Sequence, residues 1–404
     1  MPVVDEAAVG RIFREESGRS VASLIRLFGD IDVAEDAVQE AFAIALRKWP
    51  AQGLPPNPGG WITTTARNRA LDRLRRRARE QELLGEVAVL APGADDCGMP
   101  EEAGPVQDDR LRLMFTCCHP ALSTEAQVAL TLRLLGGLST EEVARSFLVA
   151  EPAMAQRLVR AKRKIKAARI PYRVPEGNEL PARLRPVLAV VYLIYNAGLG
   201  GPAERGLCAE AIRLARLLAG LMPDEPEAAG LLALLLLIES RRASRIRPGG
   251  SLVLLAEQDR RRWDRALIEE GQAIVRGCLR RDRPGMYQLQ AAISAVHADA
   301  ATAEQTDWPQ VLILYDQLLA MAPTPVVALN RAIAVGEVRG AAAALALVEE
   351  LDLDGYYPFH ATRADLLRRL GRESEAASAY ERAATMAPTG AERDFLRRGG
   401  RASQ

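Results

Sequence analysis

The stretch ALSTEAQVALTLRLLGGLSTEEVARSFLVAEPAMAQRLVRAKRKI, residues 121–165, decides how the chain reads. Ser123 stands where an N-cap accepts from the first orphan amides of TEAQVALTLRLL, and Gly136-Gly137 ends that run. Ser139 repeats the signal for TEEVARSF, and after a turn at Leu148 to Ala150 a long helix opens with Pro152 in its first turn. Within that helix Met154, Leu158, Ala161 and Ile165 fall at i, i+4, i+7 and i+11, one apolar face that must pack inward. Gln156, Arg157, Arg160, Arg163 and Lys164 then point away from the core. A short capped helix, a tight turn and a long basic helix form a helix-turn-helix pattern. Gln and Arg on such a helix suit base edges in the major groove, with the remaining cations on phosphate. The competing reading is a solvated basic face, which the capped helix and turn ahead of it disfavour.

Upstream, RLRLMFTCC stops at His119-Pro120, because the residue before a proline is pushed out of the helical region. Cys117, Cys118 and His119 are adjacent there and have no CxxC or HxxxC partner nearby, whereas zinc sites use spaced pairs. Packing and helix termination are the expected role, with no metal and no cofactor. Cys97, Cys117, Cys118, Cys208 and Cys278 are odd in number and scattered, which speaks against a disulfide framework and for a reducing cytoplasm. Net charge is +1, yet residues 81–109 hold eight carboxylates and no Lys or Arg, while 110–173 hold twelve basic residues against four acidic ones. An acidic, Pro- and Gly-containing linker beside a basic module is the implied organisation.

Residues 5–80 read as helices interrupted by the loop PAQGLPPNPGG. DVAEDAVQEAFAIALRKW presents Asp36, Gln39 and Glu40 on one exposed arc, an acidic surface suited to a protein. WITTTARNRALDRLRRR combines Trp61 and Asn68 with a dense arginine tail, suited to DNA. From 181 to 404 the chain is helix-forming throughout, and AEAIRLARLLAGLMP, PQVLILYDQLLAMAP and SEAASAYERAATMAP form a weak repeat. Ala364, Ala376, Tyr380, Ala383 and Pro388 match tetratricopeptide spacing, so a solenoid of helical hairpins is expected. The most apolar run, Leu231 to Ile238, is too short to span a bilayer, and no basic-then-apolar leader is present, so a soluble cytoplasmic protein is expected. An enzyme is disfavoured: His119, His297 and His360 lie far apart, no Gly-rich phosphate loop occurs, and Asp259, Asp264 and Glu269 near Trp263 read as a salt-bridged helix surface.

LIRLFGDIDVAEDAVQEAFAIALRKW followed by WITTTARNRALDRLRRR resembles region 2 of a sigma-70 family sigma factor of the extracytoplasmic-function (ECF) class, and residues 121–165 resemble its region 4. FTCCHPAL, LLAEQDRRRWDRALIEEG and PGMYQLQAAISAVHAD resemble the subgroup with a large C-terminal extension. The resemblance implies an all-α fold with region 2 at 5–80, a flexible linker at 81–109, region 4 at 110–173 and the extension at 181–404. It implies a non-catalytic subunit that recruits core RNA polymerase to promoter DNA, through the β′ clamp helices and the β flap. Asp36, Gln39, Glu40 and Phe42 match the clamp-binding surface. The loop from Gln52 to Gly60 takes the place where a flipped minus-10 base is captured, and Trp61, Arg67, Asn68, Asp72 and Arg75 match the helix that holds that element. Ala155, Gln156, Val159 and Arg160 fall on the minus-35 readers, flanked by Arg157, Arg163 and Lys164, and Ala155 departs from the usual basic residue. The extension is expected to regulate in cis, through a protein partner or an intramolecular contact. The alternative is a helix-turn-helix activator with a tetratricopeptide-like sensor, which needs no core polymerase.

Overall fold

Each helix start that the sequence marks with a short polar side chain is capped by that side chain in the computed structural model, which describes residues 6–83, 109–147, 149–199, 205–245, 252–387 and 390–399. The described residues form helices and no strand. They divide into two compact units, 1–197 and 198–404.

In the first unit α1 (Glu6–Phe28), α2 (Ile31–Gln52) and α3 (Pro58–Leu83) pack on one another. Asp30 caps α2 by accepting from Asp32 N at 2.8 Å and Val33 N at 3.1 Å. The expected loop is shorter than its prolines suggest. Pro50 lies within the last turn of α2, and Asn57 starts the next helix by accepting from Gly60 N at 2.9 Å. Residues 84–108, which carry most of the expected acidic linker, lie outside the described residues.

The chain continues with α4 (Asp109–Cys117), α5 (Thr124–Leu134), α6 (Thr140–Ser146) and α7 (Glu151–Ala167). Ser123 accepts from Ala126 N at 3.4 Å. Ser139 forms a full capping box: its Oγ accepts from Glu142 N at 3.1 Å while Glu142 accepts from Ser139 N at 2.7 Å. Gly137 ends the α5 segment with φ +67°, and a Cβ there would lie 2.4 Å from Ser17 Oγ. Met154, Leu158, Ala161 and Ile165 are all buried, as the spacing requires.

One boundary falls differently. Residues from 181 were expected to open the C-terminal array, but α8 (Leu180–Ala197) packs on α4 and α5 within the first unit. Its Leu184, Val187, Leu188 and Val191 are buried, and Arg183 donates to Phe115 O at 2.8 Å. An apolar face on α8 finds a partner at once in the incomplete core of three short helices.

The second unit runs α9 (Arg205–Leu221), α10 (Pro226–Ser240), α11 (Arg265–Leu279), α12 (Met286–Asp299), α13 (Trp308–Met321), α14 (Pro325–Arg339), α15 (Ala341–Glu349), α16 (Tyr357–Arg369), α17 (Glu373–Met386) and α18 (Gly390–Arg397). Each packs on its neighbour in sequence. The repeat positions Ala211, Ala215, Val311, Ala376 and Tyr380 are buried, and Tyr315 is half-buried. Pro388 lies outside the described residues.

The segment around Trp263 combines an exposed side, where Asp259, Asp264 and Glu269 lie, with a buried corner that the expectation lacked. Arg260 is buried, lies 5.0 Å from the Trp263 ring and donates to His297 O and Ala300 O, each at 2.6 Å. Asp264 caps α11 through Leu267 N at 3.2 Å, and Asp259 pairs with Arg261. No described helix is long and apolar enough to cross a membrane.

Candidate nucleic-acid interface

On α7 the row Gln156, Arg160 and Arg163 is exposed along one side, with Ala155, Val159 and Lys164 exposed beside it. Arg160, Arg163 and Lys164 make no ion pair among the described residues, so their charge is open to an incoming anion. Arg157 differs from the expectation: it is half-buried, its guanidinium 5.4 Å from the Phe147 ring, and it stands at the edge of the row.

Lys162, Lys164 and Lys166 of α7 fall on different faces. Lys164 points outward, whereas Lys166 lies 3.6 Å from Asp30 and Lys162 is drawn under α2. There Glu35 accepts from Lys162 Nζ at 3.1 Å and from Arg133 Nε at 2.6 Å, and Asp32 adds a second carboxylate to Lys162. Burial opposes the Lys162 charge, but Glu35 and Asp32 outweigh it and raise its pKa above the ordinary lysine value. Around this ion cluster Tyr172 donates toward Ala22 O at 2.8 Å and Asp109 O at 3.0 Å, and Arg26 pairs with Asp109 at 2.9 Å. Gly18 permits a close backbone approach: a Cβ there would lie 2.7 Å from the Leu135 carbonyl oxygen. The helix-turn-helix segment is thus docked on the N-terminal helices by its inner side, leaving its outer row free.

On α2, Asp36 and Gln39 are exposed and Glu40 is half-buried, all on one helical row. Arg73 of α3, which the sequence did not single out, bonds Asp36 at 2.8 Å and also bonds Glu40. Phe42 is a correction: it is 5% exposed with its ring 4.0 Å from Phe13, so it supports the acidic row from beneath and does not belong to the surface. Along α3, Asn68, Asp72 and Arg75 are exposed and Arg67 is half-buried. Trp61 is half-buried, braced edge-on by the buried Trp49 at 5.3 Å. A cleft of about 300 Å³ between α2 and α3 is lined by Glu40, Arg47, Arg69, Asp72, Arg73 and Arg76.

The thiol and imidazole cluster is structural. Cys117 and Cys118 are buried, and Cys118 Sγ sits 3.6 Å from Thr131 Oγ1. Burial raises both thiols, Cys118 to about 12. His119 Nδ1 accepts from Ala121 N at 3.1 Å and holds the turn at Pro120. No group of three or more His, Cys, Asp or Glu side chains is placed to hold a metal among the described residues. Cys97 lies outside them.

Comparison with known families decides what these surfaces belong to. Sigma-70 region 2 matches residues 13–80, and sigma-70 region 4 matches residues 112–165. The chain belongs to the sigma-70 family. It is an ECF-like sigma factor with a C-terminal extension. A family of unknown function, DUF6596, matches residues 183–279, so it begins within α8. An uncharacterized protein of Rhizobium meliloti is 44% identical over 388 residues, covering 94% of this chain and 92% of that protein. The probable ECF RNA polymerase sigma factor SigI of Mycobacterium tuberculosis is 28% identical over 163 residues, 40% of this chain and 56% of its own length. The probable RNA polymerase sigma factor RfaY of Xanthomonas campestris is 31% identical over 168 residues, 39% of each chain. Sigma factors bind core RNA polymerase and promoter DNA. The region 2 match in this sigma factor falls within α1–α3 and the region 4 match within α4–α7.

Proposed function

We propose that this sigma factor recruits core polymerase through Asp36, Gln39 and Glu40, reads a minus-10 element with Trp61, Arg67, Asn68, Asp72 and Arg75, and reads a minus-35 element with α7. The exposed row Gln156, Arg160 and Arg163, directly opposite the buried row of the same helix, is the observation that carries the reading. Gln156 and Arg160 specify bases, Arg163 and Lys164 contact phosphate, and Arg157 supports the helix from its edge. The chain has no catalytic step of its own; base capture at the minus-10 element costs on the order of a few kcal/mol of unstacking and is supplied by binding.

Region 4 docked on region 2 is the resting arrangement in this reading. Core polymerase competes for the acidic side of α2, breaks the Glu35 cluster and frees α7 to reach its own element. Residues 198–404 act in cis on that step, as a helical-hairpin array of the tetratricopeptide type.

Multi-round transcription with purified core polymerase on the DNA upstream of the protein's own coding sequence tests this. The full chain is compared with one ending at Ala197, since a cut nearer Val174 would strip α8 from α4 and α5. Transcripts that require the added protein are expected, and the difference between the two chains gives the sign of the extension's effect. Binding to duplex DNA with no transcript from either chain would instead assign a polymerase-independent DNA-binding protein.

A further inference from the structure

In the second unit α10, α11, α12 and α13 surround a cavity of about 340 Å³. Its inner wall is apolar: Val275, Leu289, Ala291, Ala292 and Leu314 line it, with the Cys278 thiol beside them. A volume in this range is typical of the smaller ligand pockets, which span about 300–1,000 Å³.

The cavity is held in shape by bonds at one end of it. Glu227 of α10 accepts from Tyr287 N and Gln288 N, each at 3.1 Å, and so caps α12. The Gln288 amide donates to Glu227 at 3.2 Å and to Arg283 O at 2.9 Å. Two glycines allow this lock. A Cβ on Gly230 would lie 2.8 Å from Gln288 N, and one on Gly285 would lie 2.1 Å from the Glu227 carboxyl carbon. Backbones therefore meet at one end, while Ala291 and Ala292 leave room further along.

The exposed lining residues, Leu279, Asp282, Arg283, Pro284 and Gln317, form the mouth. The turn at 280–283, which carries Asp282 and Arg283, holds Arg280, Arg281 and Arg283 against Asp282 alone, three positive charges against one negative, a local net charge of +2. Arg283 donates to Asp224 O at 3.2 Å and Arg281 to Pro223 O. Those acceptors are neutral, and neither arginine has a carboxylate partner among the described residues. Leu279 adds an apolar lip, 67% exposed.

We infer that this cavity binds a small amphipathic carboxylate, its apolar body between α11, α12 and α13 and its charged end at Arg283. At about 30 Å³ for each non-hydrogen atom, the share one water has in the liquid, the space suits on the order of ten such atoms. Octanoate has that size and chemistry. Such a molecule is the input to which the extension responds. The inference does not depend on promoter recognition, because binding is measured without polymerase or DNA.

Calorimetric titration of the full chain with octanoate, and with 1-octanol as the uncharged counterpart, tests it. Octanoate is expected to saturate at one molecule per chain, and octanol to bind at least tenfold more weakly. Arg283→Gln brings octanoate down to the level of octanol. Ala292→Leu on α12, and separately Leu314→Trp on α13, fill the cavity and abolish binding of both while thermal unfolding stays within a few degrees. Absence of saturable octanoate binding overturns the inference, as does one-to-one binding that both filling variants leave intact. Equal binding of octanol and octanoate overturns the carboxylate assignment.

Discussion

Arginines on the outer rows of α3 and α7 in the first unit and arginines between the helices of the second are used in opposite ways. In the first unit Arg75, Arg76, Arg160 and Arg163 stand exposed with no ion pair among the described residues. In the second, Arg216 pairs with Glu270, Arg331 with Asp316, Arg363 with Glu349 and Arg369 with Glu337, while Arg260 is buried against backbone carbonyls. Unpaired cations on a folded surface repel one another and are retained where an anion arrives; phosphate contacts of this kind dominate nucleic-acid affinity. Paired surface cations contribute little, about 0–1 kcal/mol each. A net charge of +1 for the whole chain conceals both uses, and only partner assignment separates them.

The largest effects are expected where a charge withdrawn from solvent loses its partners. Glu35→Ala leaves Lys162 and Arg133 without their shared carboxylate and is expected to cost about 3 kcal/mol in urea unfolding of the first unit. Arg260→Ala strips the partners of two carbonyls in the second unit, with a cost of similar size, about 3 kcal/mol. If Glu35→Ala instead costs less than about 0.5 kcal/mol, the docking of region 4 on region 2 is not held by that cluster.

The pH response comes next in size. Burial, with Arg241 and Arg260 nearby, lowers His297 to about 4. Between the ordinary histidine value of about 6.5 and that folded value, the unfolded chain takes up a proton that the folded chain refuses. Stability of the second unit should therefore rise with pH across this window and fall as pH drops from 6.5 toward 4, by about 2 kcal/mol after allowance for the partly exposed ring. Hydrogen exchange in α12 should show it, and His297→Phe should flatten the profile.

Smaller still, Arg160→Ala should weaken promoter binding by about 1–2 kcal/mol in a sequence-dependent way, whereas Arg163→Ala should weaken all sequences alike and lower the salt slope. A uniform loss from Arg160→Ala would move it to the phosphate class. Smallest of all, Arg372→Ala removes an exposed pair with Glu375 and should change stability by less than about 0.5 kcal/mol.

Local signals in the sequence were legible because local physics acts on them. Ser123 and Ser139 marked helix starts through bonds within three residues, Pro152 marked one by its place in the first turn, and the i, i+4, i+7 spacing in α7 separated its buried row from its open row. Where a residue's fate depended on a contact outside its own helix, the sequence misled: the resemblance put Phe42 on the surface, and spacing put Arg157 outward. Phe42 shares the turn with Glu40 yet turns inward to Phe13, and Arg157 is held by Phe147. The segment around Trp263 looked like a charged helix surface, which it is on its exposed side, but burial of Arg260 adds a corner. The limits of α8 within the first unit followed from which core lacked a face, which no pattern in α8 states.

The sequence alone therefore determined the all-α class, the helix-turn-helix and the open row of α7, since propensity, caps and amphipathic period are properties of neighbouring residues. Only the tertiary structure decided that Glu35 would meet Lys162 and Arg133, that Arg73 would hold Asp36 and Glu40, and that α10 to α13 would enclose a cavity. Such contacts join residues up to 127 positions apart, and long-range pairing is set by how helices stack and which faces remain to be covered.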